Sequence, residues 1–142
     1  MSEDARIARI LTECRSIALV GWSPNPGRPS HQVARFLAAK GYRVIPVNPG
    51  QAGKVAYGEV VRATLDEIEG HVDMIDIFRR SEEVGAVVDA ALERFPGLKA
   101  IWMQLGVEDA DAANRAALRG VEVVMNRCPA IEIPRLGLSL GS

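Results

Sequence analysis

The chain has little of what usually fixes a protein's class on sight. Its two cysteines, Cys14 and Cys128, stand far apart and form neither a C-x-x-C nor a zinc spacing. That argues against a disulfide framework or a thiol-held metal and leaves a pair of reduced thiols as the expectation. No apolar run approaches the ~20 residues of a membrane span, and the opening MSEDARIARILTEC carries Glu3 and Asp4, unlike a signal peptide. The expected location is therefore cytoplasmic, away from membranes. Charge of one sign is missing too: 17 basic against 18 acidic residues leave a net charge of −1. Nothing here marks a sequence-blind nucleic-acid binder, and any anion site must be local. Repeats and linkers are also absent. One domain over residues 1–142 is expected, long enough to bury about two thirds of the surface its unfolded form exposes.

What is there alternates. Residues 1–15 place Ile7, Ile10, Leu11 and Cys14 at helical spacing behind Ser2 as cap. SIALVG is short and almost wholly apolar, as a strand covered on both faces should be. SHQVARFLAAKGY predicts a helix with Ser30 as N-cap, a Val33/Phe36/Leu37 stripe and Gly41 as its stop. RVIPVNP predicts a strand whose Pro46 places it near a sheet margin. Residues 50–62 predict loop or mixed structure, and ATLDEIEG a short helix closed by Gly70. Strands VDMIDIF, LKAIWMQLG and VEVVM follow, separated by helices over SEEVGAVVDAALERF, with Ser81 as cap, and EDADAANRAALRG. The remainder returns over the sheet into a flexible tail over residues 137–142. Crossovers of this length imply an α/β fold: a doubly wound, five-stranded parallel sheet with helices on both faces. Ligands of such sheets bind beyond the carboxyl ends of the strands, at the switch in strand order.

Those ends carry a recognisable set of groups. After the first strand comes G-W-S-P-N-P-G-R-P-S, Gly21 to Ser30. Gly21 lets backbone pass close to a ligand, a helix start behind it offers N–H groups to a phosphate, and the prolines stiffen the loop. Arg28, Arg79, Arg80 and Arg127 fall at three strand ends, a clustering that suits an anion of several charges because guanidinium forks match phosphate. The turn lacks the G-x-G-x-x-G of dinucleotide folds, Asn48 stands where their ribose-binding acid would be, and no P-loop is present. Support for catalysis is thin. His31 and His71 read as surface or capping residues. Asp73 and Asp76 read as facing the same side of a strand, satisfying backbone donors rather than holding a metal. Cys128, beside Arg127, reads as structural, since no base is evident.

Taken together, VGWSPNPGRPSHQVARFL, GYRVIPVNPG, VDMIDIFRRSEEV, IWMQLGV and VMNRCPAIEIPRL resemble the small stand-alone CoA-binding proteins, over Ser16 to Leu136. That family is similar to the CoA-binding domain of succinyl-CoA synthetase alpha subunits, a Rossmann-like domain. The resemblance implies that Gly21, Trp22, Ser23, Arg28 and Ser30 surround the pyrophosphate and adenosine side. Asn48 and Pro49 would lie near the adenine or 3′-phosphate, Phe78, Arg79 and Arg80 would line the nucleotide, and Gln104, Leu105 and Gly106 would face the pantetheine arm. Asn126 replaces an acid common in the family, and Ile133 stands where a polar ring is common. The synthetase's phosphorylated histidine belongs to a second domain that these residues do not include. The expectation is thus a binder of coenzyme A or an acyl-CoA without catalysis of its own, as a carrier or regulatory module, with no metal. The alternative is an enzyme acting on an acyl-CoA or nucleotide through Cys128 or His31; a protein partner or homodimer stays open.

Overall fold

The computed structural model describes residues 2–140. Helix α1 (Glu3–Glu13) starts where the Ser2 hydroxyl accepts the Ala5 N–H at 3.1 Å. Then come β1 (Ser16–Val20), α2 (Pro29–Ala39), β2 (Arg43–Val47), the two-residue strands β3 (Val55–Ala56) and β4 (Glu59–Val60), and β5 (Met74–Ile77). The chain closes with α3 (Ser81–Arg94), β6 (Ala100–Met103), α4 (Ala110–Leu118), β7 (Glu122–Val124) and α5 (Pro129–Arg135). The main sheet has five parallel strands in the order β2-β1-β5-β6-β7. From β1 the chain steps outward to β2 and then crosses back to β5 on the other side, so the strand order reverses between β1 and β5. This is the doubly wound arrangement, and it puts the crevice beyond Val20 and Ile77.

Strand period decides the two cores. Ile17 and Leu19 face α1, α2 and α5 through Ile7, Leu37 and Ile133. Ala18 and Val20 face α3 and α4 through Val84, Val88 and Ala116. Pro46 sits in edge strand β2, the margin its missing N–H requires. The region 50–62 forms the β3–β4 hairpin, held against β2 where Glu59 pairs with Arg43 at 2.8 Å and Arg62 at 2.9 Å. ATLDEIEG supplies only a short 3-10 turn, Leu65–Glu67. At the C-terminus Leu138 and Leu140 pack on the face of α1, α2 and α5. Met1, Gly141 and Ser142, the ends of the expected N-terminal helix region and tail, lie outside the described residues. No helix among the described residues is long and apolar enough to cross a membrane.

Two capping expectations are corrected. Helix α2 begins one residue early with Pro29 in its first turn and Arg28 as N-cap, and α3 takes Arg80 as N-cap. The serine hydroxyls thereby freed brace loops instead: Ser30 Oγ accepts the Ser23 N–H at 3.1 Å, and Ser81 Oγ accepts the Glu108 N–H at 3.0 Å. The two strand acids also do not share a face. They are three residues apart, and a strand alternates every residue, so they point to opposite sides. Asp73 lies just before β5, where its Oδ2 accepts the Arg15 and Ser16 N–H groups at 2.8 and 3.2 Å, and its Oδ1 meets His71 Nε2 at 2.7 Å. Burial pushes the Asp73 pKa up, but these donors, with Lys99, outweigh it and hold the carboxyl below its ordinary value. Its stabilising effect is therefore present above the ordinary carboxylate range and lost as pH falls through the depressed value. Asp73→Asn is expected to cost about 2 kcal/mol at neutral pH, a difference that shrinks in acid and is read from denaturant midpoints across pH.

Candidate functional site

Gly21 is the keystone of the strand ends. Its φ is +92°, and a Cβ built on it would lie 2.5 Å from the Phe78 carbonyl oxygen. The Gly21 N–H donates to Val47 O at 2.9 Å and the Trp22 N–H to the same oxygen at 3.3 Å. One residue without a side chain thus lets the ends of β1, β2 and β5 meet.

The turn that follows is braced from within. Ser23 N–H goes to Ser30 Oγ, Asn25 N–H to Ser23 Oγ, Gly27 N–H to Asn25 Oδ1 and Arg28 N–H to Asn25 O. Positions 24, 26 and 29 are prolines without an N–H. From Ser23 to Ser30, Ser30 carries the one backbone N–H left without a partner among the described residues. The expectation of several free amides is thereby narrowed to one, supplemented by the Ser23 and Ser30 hydroxyl protons and by Arg28.

Trp22 and Asn48 hold this turn in place. The buried Trp22 ring donates Nε1–H to Tyr57 Oη at 3.1 Å and stacks on His31 with centroids 6.0 Å apart. Tyr57 reaches it from the hairpin tip, at φ +55°. Asn48 donates Nδ2–H to Trp22 O at 2.7 Å and accepts the Gly50 N–H at 2.9 Å. His31 Nδ1 lies 3.0 Å from Ser23 O; a carbonyl only accepts, so Nδ1 carries the proton.

Three adjoining cavities run along the strand ends. A mainly apolar one of about 310 Å³ lies under α3, walled by Val20, Val47, Leu65, Val87 and Ala90, with Pro49, Thr64, Asp66 and Arg79 also lining it. The next, also about 310 Å³, is the turn itself: Gly21, Trp22, Ser23, Arg28, Ser30, Asn48 and Phe78. The third, about 460 Å³, is lined by Val33, Phe78, Arg80, Gln104, Leu105, Gly106 and Cys128. Gly21 is common to the first and second, Phe78 to the second and third, and Arg79 to the first and third. The residues that the resemblance implies as ligand contacts each line one of the three, whereas Arg127 of the strand-end arginine cluster lines none of them. Sequence reasoning missed the apolar walls: the 63–66 loop and the Ala86, Val87 and Ala90 face of α3. Ala63, Leu65, Ala86, Val87 and Ala90 carry no chemical signal, Thr64 and Asp66 read as part of a short helix, and only α3's approach to Gly21 makes them a wall.

The arginines divide. Arg28 is exposed and makes no ion pair among the described residues. Arg79 meets Glu83 at 3.5 Å, and Arg80 meets Glu82 and Glu83 only at 3.6 and 3.7 Å. Arg127 is withdrawn from the cluster, because Nη1 pairs with the buried Glu132 at 2.7 Å and anchors α5. Asn126 explains itself: at φ +59° it occupies the left-handed region asparagine tolerates, and its Oδ1 accepts the Gly106 N–H at 2.7 Å, fixing the Gln104–Gly106 loop. No group of three or more His, Cys, Asp or Glu side chains that could hold a metal occurs among the described residues.

Comparison with known proteins agrees in fold and sequence. Residues 15–134 match the model of the family described as CoA binding domain. Protein YneT of Bacillus subtilis (strain 168) is 36% identical over 124 residues, spanning 87% of this chain and 89% of that protein. The solved structure of cell-free ID.343 from Thermus thermophilus is 31% identical with a TM-score of 0.88, covering 95% of this chain and 99% of that one. A hypothetical protein from Pyrococcus horikoshii OT3 is 32% identical, also with a TM-score of 0.88, over 96% of this chain and 94% of that one.

Proposed function

The chain belongs to the CoA binding domain family, and from that premise we propose that it binds coenzyme A or an acyl-CoA along the strand-end groove, without catalysis of its own. The observation that carries this reading is the order of the three cavities. An apolar pocket suits an adenine ring, the Arg28 and Ser30 turn suits phosphates, and a mixed pocket with a polar amide in its wall suits the pantetheine arm. Coenzyme A has the same three parts in the same sequence. Arg28 is the free cation of the turn, and the Ser30 N–H at the α2 start adds a dipole-assisted donor. Arg79, lining both the apolar and the mixed cavities, stands where a ribose 3′-phosphate can meet it. Trp22 and Asn48 act by shape, since their polar atoms already serve the turn. His31, the base of the enzymatic alternative, spends its Nδ1–H on Ser23 O and stacks on Trp22.

Calorimetry with CoA, dephospho-CoA, ATP and NADPH tests the reading. CoA is expected to bind at least about ten-fold more tightly than ATP. Arg28→Ala is expected to weaken CoA by roughly 10–100-fold, the equivalent of one charge-assisted hydrogen bond. No CoA heat below millimolar, or equal affinity for ATP, overturns it.

A further inference from the structure

The anion turn leans on a residue that stands outside all three cavities. Tyr57 lines none of them, yet its Oη accepts the Trp22 Nε1–H at 3.1 Å and donates to His31 O at 3.5 Å. Its ring meets the Trp22 indole edge-on, with centroids 6.2 Å apart and planes at 86°. The indole is buried and belongs to the wall of the anion cavity. Asn48 holds the backbone of the same residue, through Nδ2–H to Trp22 O at 2.7 Å. Tyr57 thus fixes the side chain of the residue that opens the turn.

The phenol is itself a fixed strut. Its hairpin is bonded to the end of β2 by Arg62 N–H to Pro46 O at 3.1 Å and Asn48 N–H to Arg62 O at 2.9 Å, besides the Glu59 pairs. Tyr57 and Gly58 form the two-residue loop between β3 and β4, with φ of +55° and +75°. Such a loop needs both residues in the left-handed region, and asparagine or aspartate before glycine is its usual solution. A bulky aromatic there is a backbone outlier. Turn chemistry does not select tyrosine at this position, whereas the reach of its hydroxyl to Trp22 and His31 does.

We propose that Tyr57 is a positioning residue for the ligand: by holding the Trp22 indole it keeps the anion turn, and with it Arg28 and Ser30, in the geometry that receives phosphates. The inference rests on the CoA reading above. Tyr57→Phe removes only the acceptor, and the buried indole N–H is left without a partner. The indole then shifts, and Ser23, next in the chain and bonded to Ser30 Oγ, shifts with it. Tyr57→Asn also removes the brace, but it suits the hairpin loop better than tyrosine does.

Two measurements on the native chain and both variants test this. In the ligand-free protein, NMR resolves the indole N–H signals of the two tryptophans. Trp102, whose Nε1–H donates to Arg127 O at 2.8 Å, is the internal control. Tyr57→Phe is expected to shift the Trp22 signal and speed its hydrogen exchange, with Trp102 unmoved. In calorimetry both variants are expected to bind CoA and dephospho-CoA about ten-fold more weakly, by the same factor for each ligand, because both carry the pyrophosphate. The melting temperature of Tyr57→Phe should stay within about 4 °C of native, and Tyr57→Asn should melt no lower than Tyr57→Phe. An unmoved Trp22 signal, native affinity in Tyr57→Phe, a loss confined to CoA, or affinity that falls only in step with melting temperature overturns the positioning role and leaves the binding reading standing. A native chain that binds no CoA, even with the Trp22 shift present in Tyr57→Phe, overturns the binding reading and the positioning role with it.

Discussion

Gly21→Ala is expected to lose at least about a hundred-fold in CoA affinity, or roughly 2.7 kcal/mol, and to melt several degrees lower. Two costs combine. A φ of +92° is disfavoured for any residue with a Cβ, by about 1–2 kcal/mol. The added carbon would also sit 2.5 Å from Phe78 O, a backbone atom that cannot swing aside as a flexible side chain would. The ends of β1 and β5 must part, and with them the edge shared by the apolar cavity and the anion turn. Gly41→Ala is the control: φ is +103°, yet nothing lies within 4 Å of its Cβ. It should carry only the conformational cost, about 3 °C per kcal/mol in a domain of this size, with CoA affinity unchanged. Calorimetry and thermal melts on both variants read the difference. Native-like affinity in Gly21→Ala would show that the ligand does not depend on this junction.

The order of elements and the position of the crevice were legible because they follow from hydrophobic period and crossover length. SIALVG read as a buried strand and VDMIDIF as a strand, and Gly21 read as the turn where backbone could approach a ligand. The local bonding was not legible. Ser30 and Ser81 look like caps in one dimension, but the proline at 29 and the arginine at 80 start the helices and release both hydroxyls to other loops. Arg127 reads as part of a cationic edge until Glu132, five residues on and buried, claims it. Trp22 and Asn48 read as ligand groups, but Tyr57 of the hairpin takes the Trp22 Nε1–H, and the Asn48 amide is held by the Trp22 carbonyl and the Gly50 N–H. The apolar cavity was invisible for a simpler reason: its walls come from β1, β2, the 63–66 loop and α3, and most of their residues are ones that any core would accept.

Asp76 gives the other large effect, with a pH dependence opposite to that of Asp73. It stands in the middle of β5 between Leu19 and Trp102, fully buried, with neither carboxyl oxygen hydrogen-bonded among the described residues. Burial in this apolar layer raises its pKa well above the ordinary value, so the folded chain keeps the proton over a range where the unfolded chain has released it. The native state then binds more protons than the unfolded one, and stability falls as pH rises from the ordinary carboxylate value toward the raised one. The slope reaches about 1.4 kcal/mol per pH unit while only the unfolded side chain is ionised. Asp76→Asn, of nearly the same shape and without the titration, is expected to match the native protein in acid. It should then become progressively more stable than the native protein toward neutral pH. Denaturant unfolding of both proteins across that range reads the linkage directly. A stability difference that stays constant with pH, or that favours the native chain at neutral pH, would mean that Asp76 is held ionised by a partner.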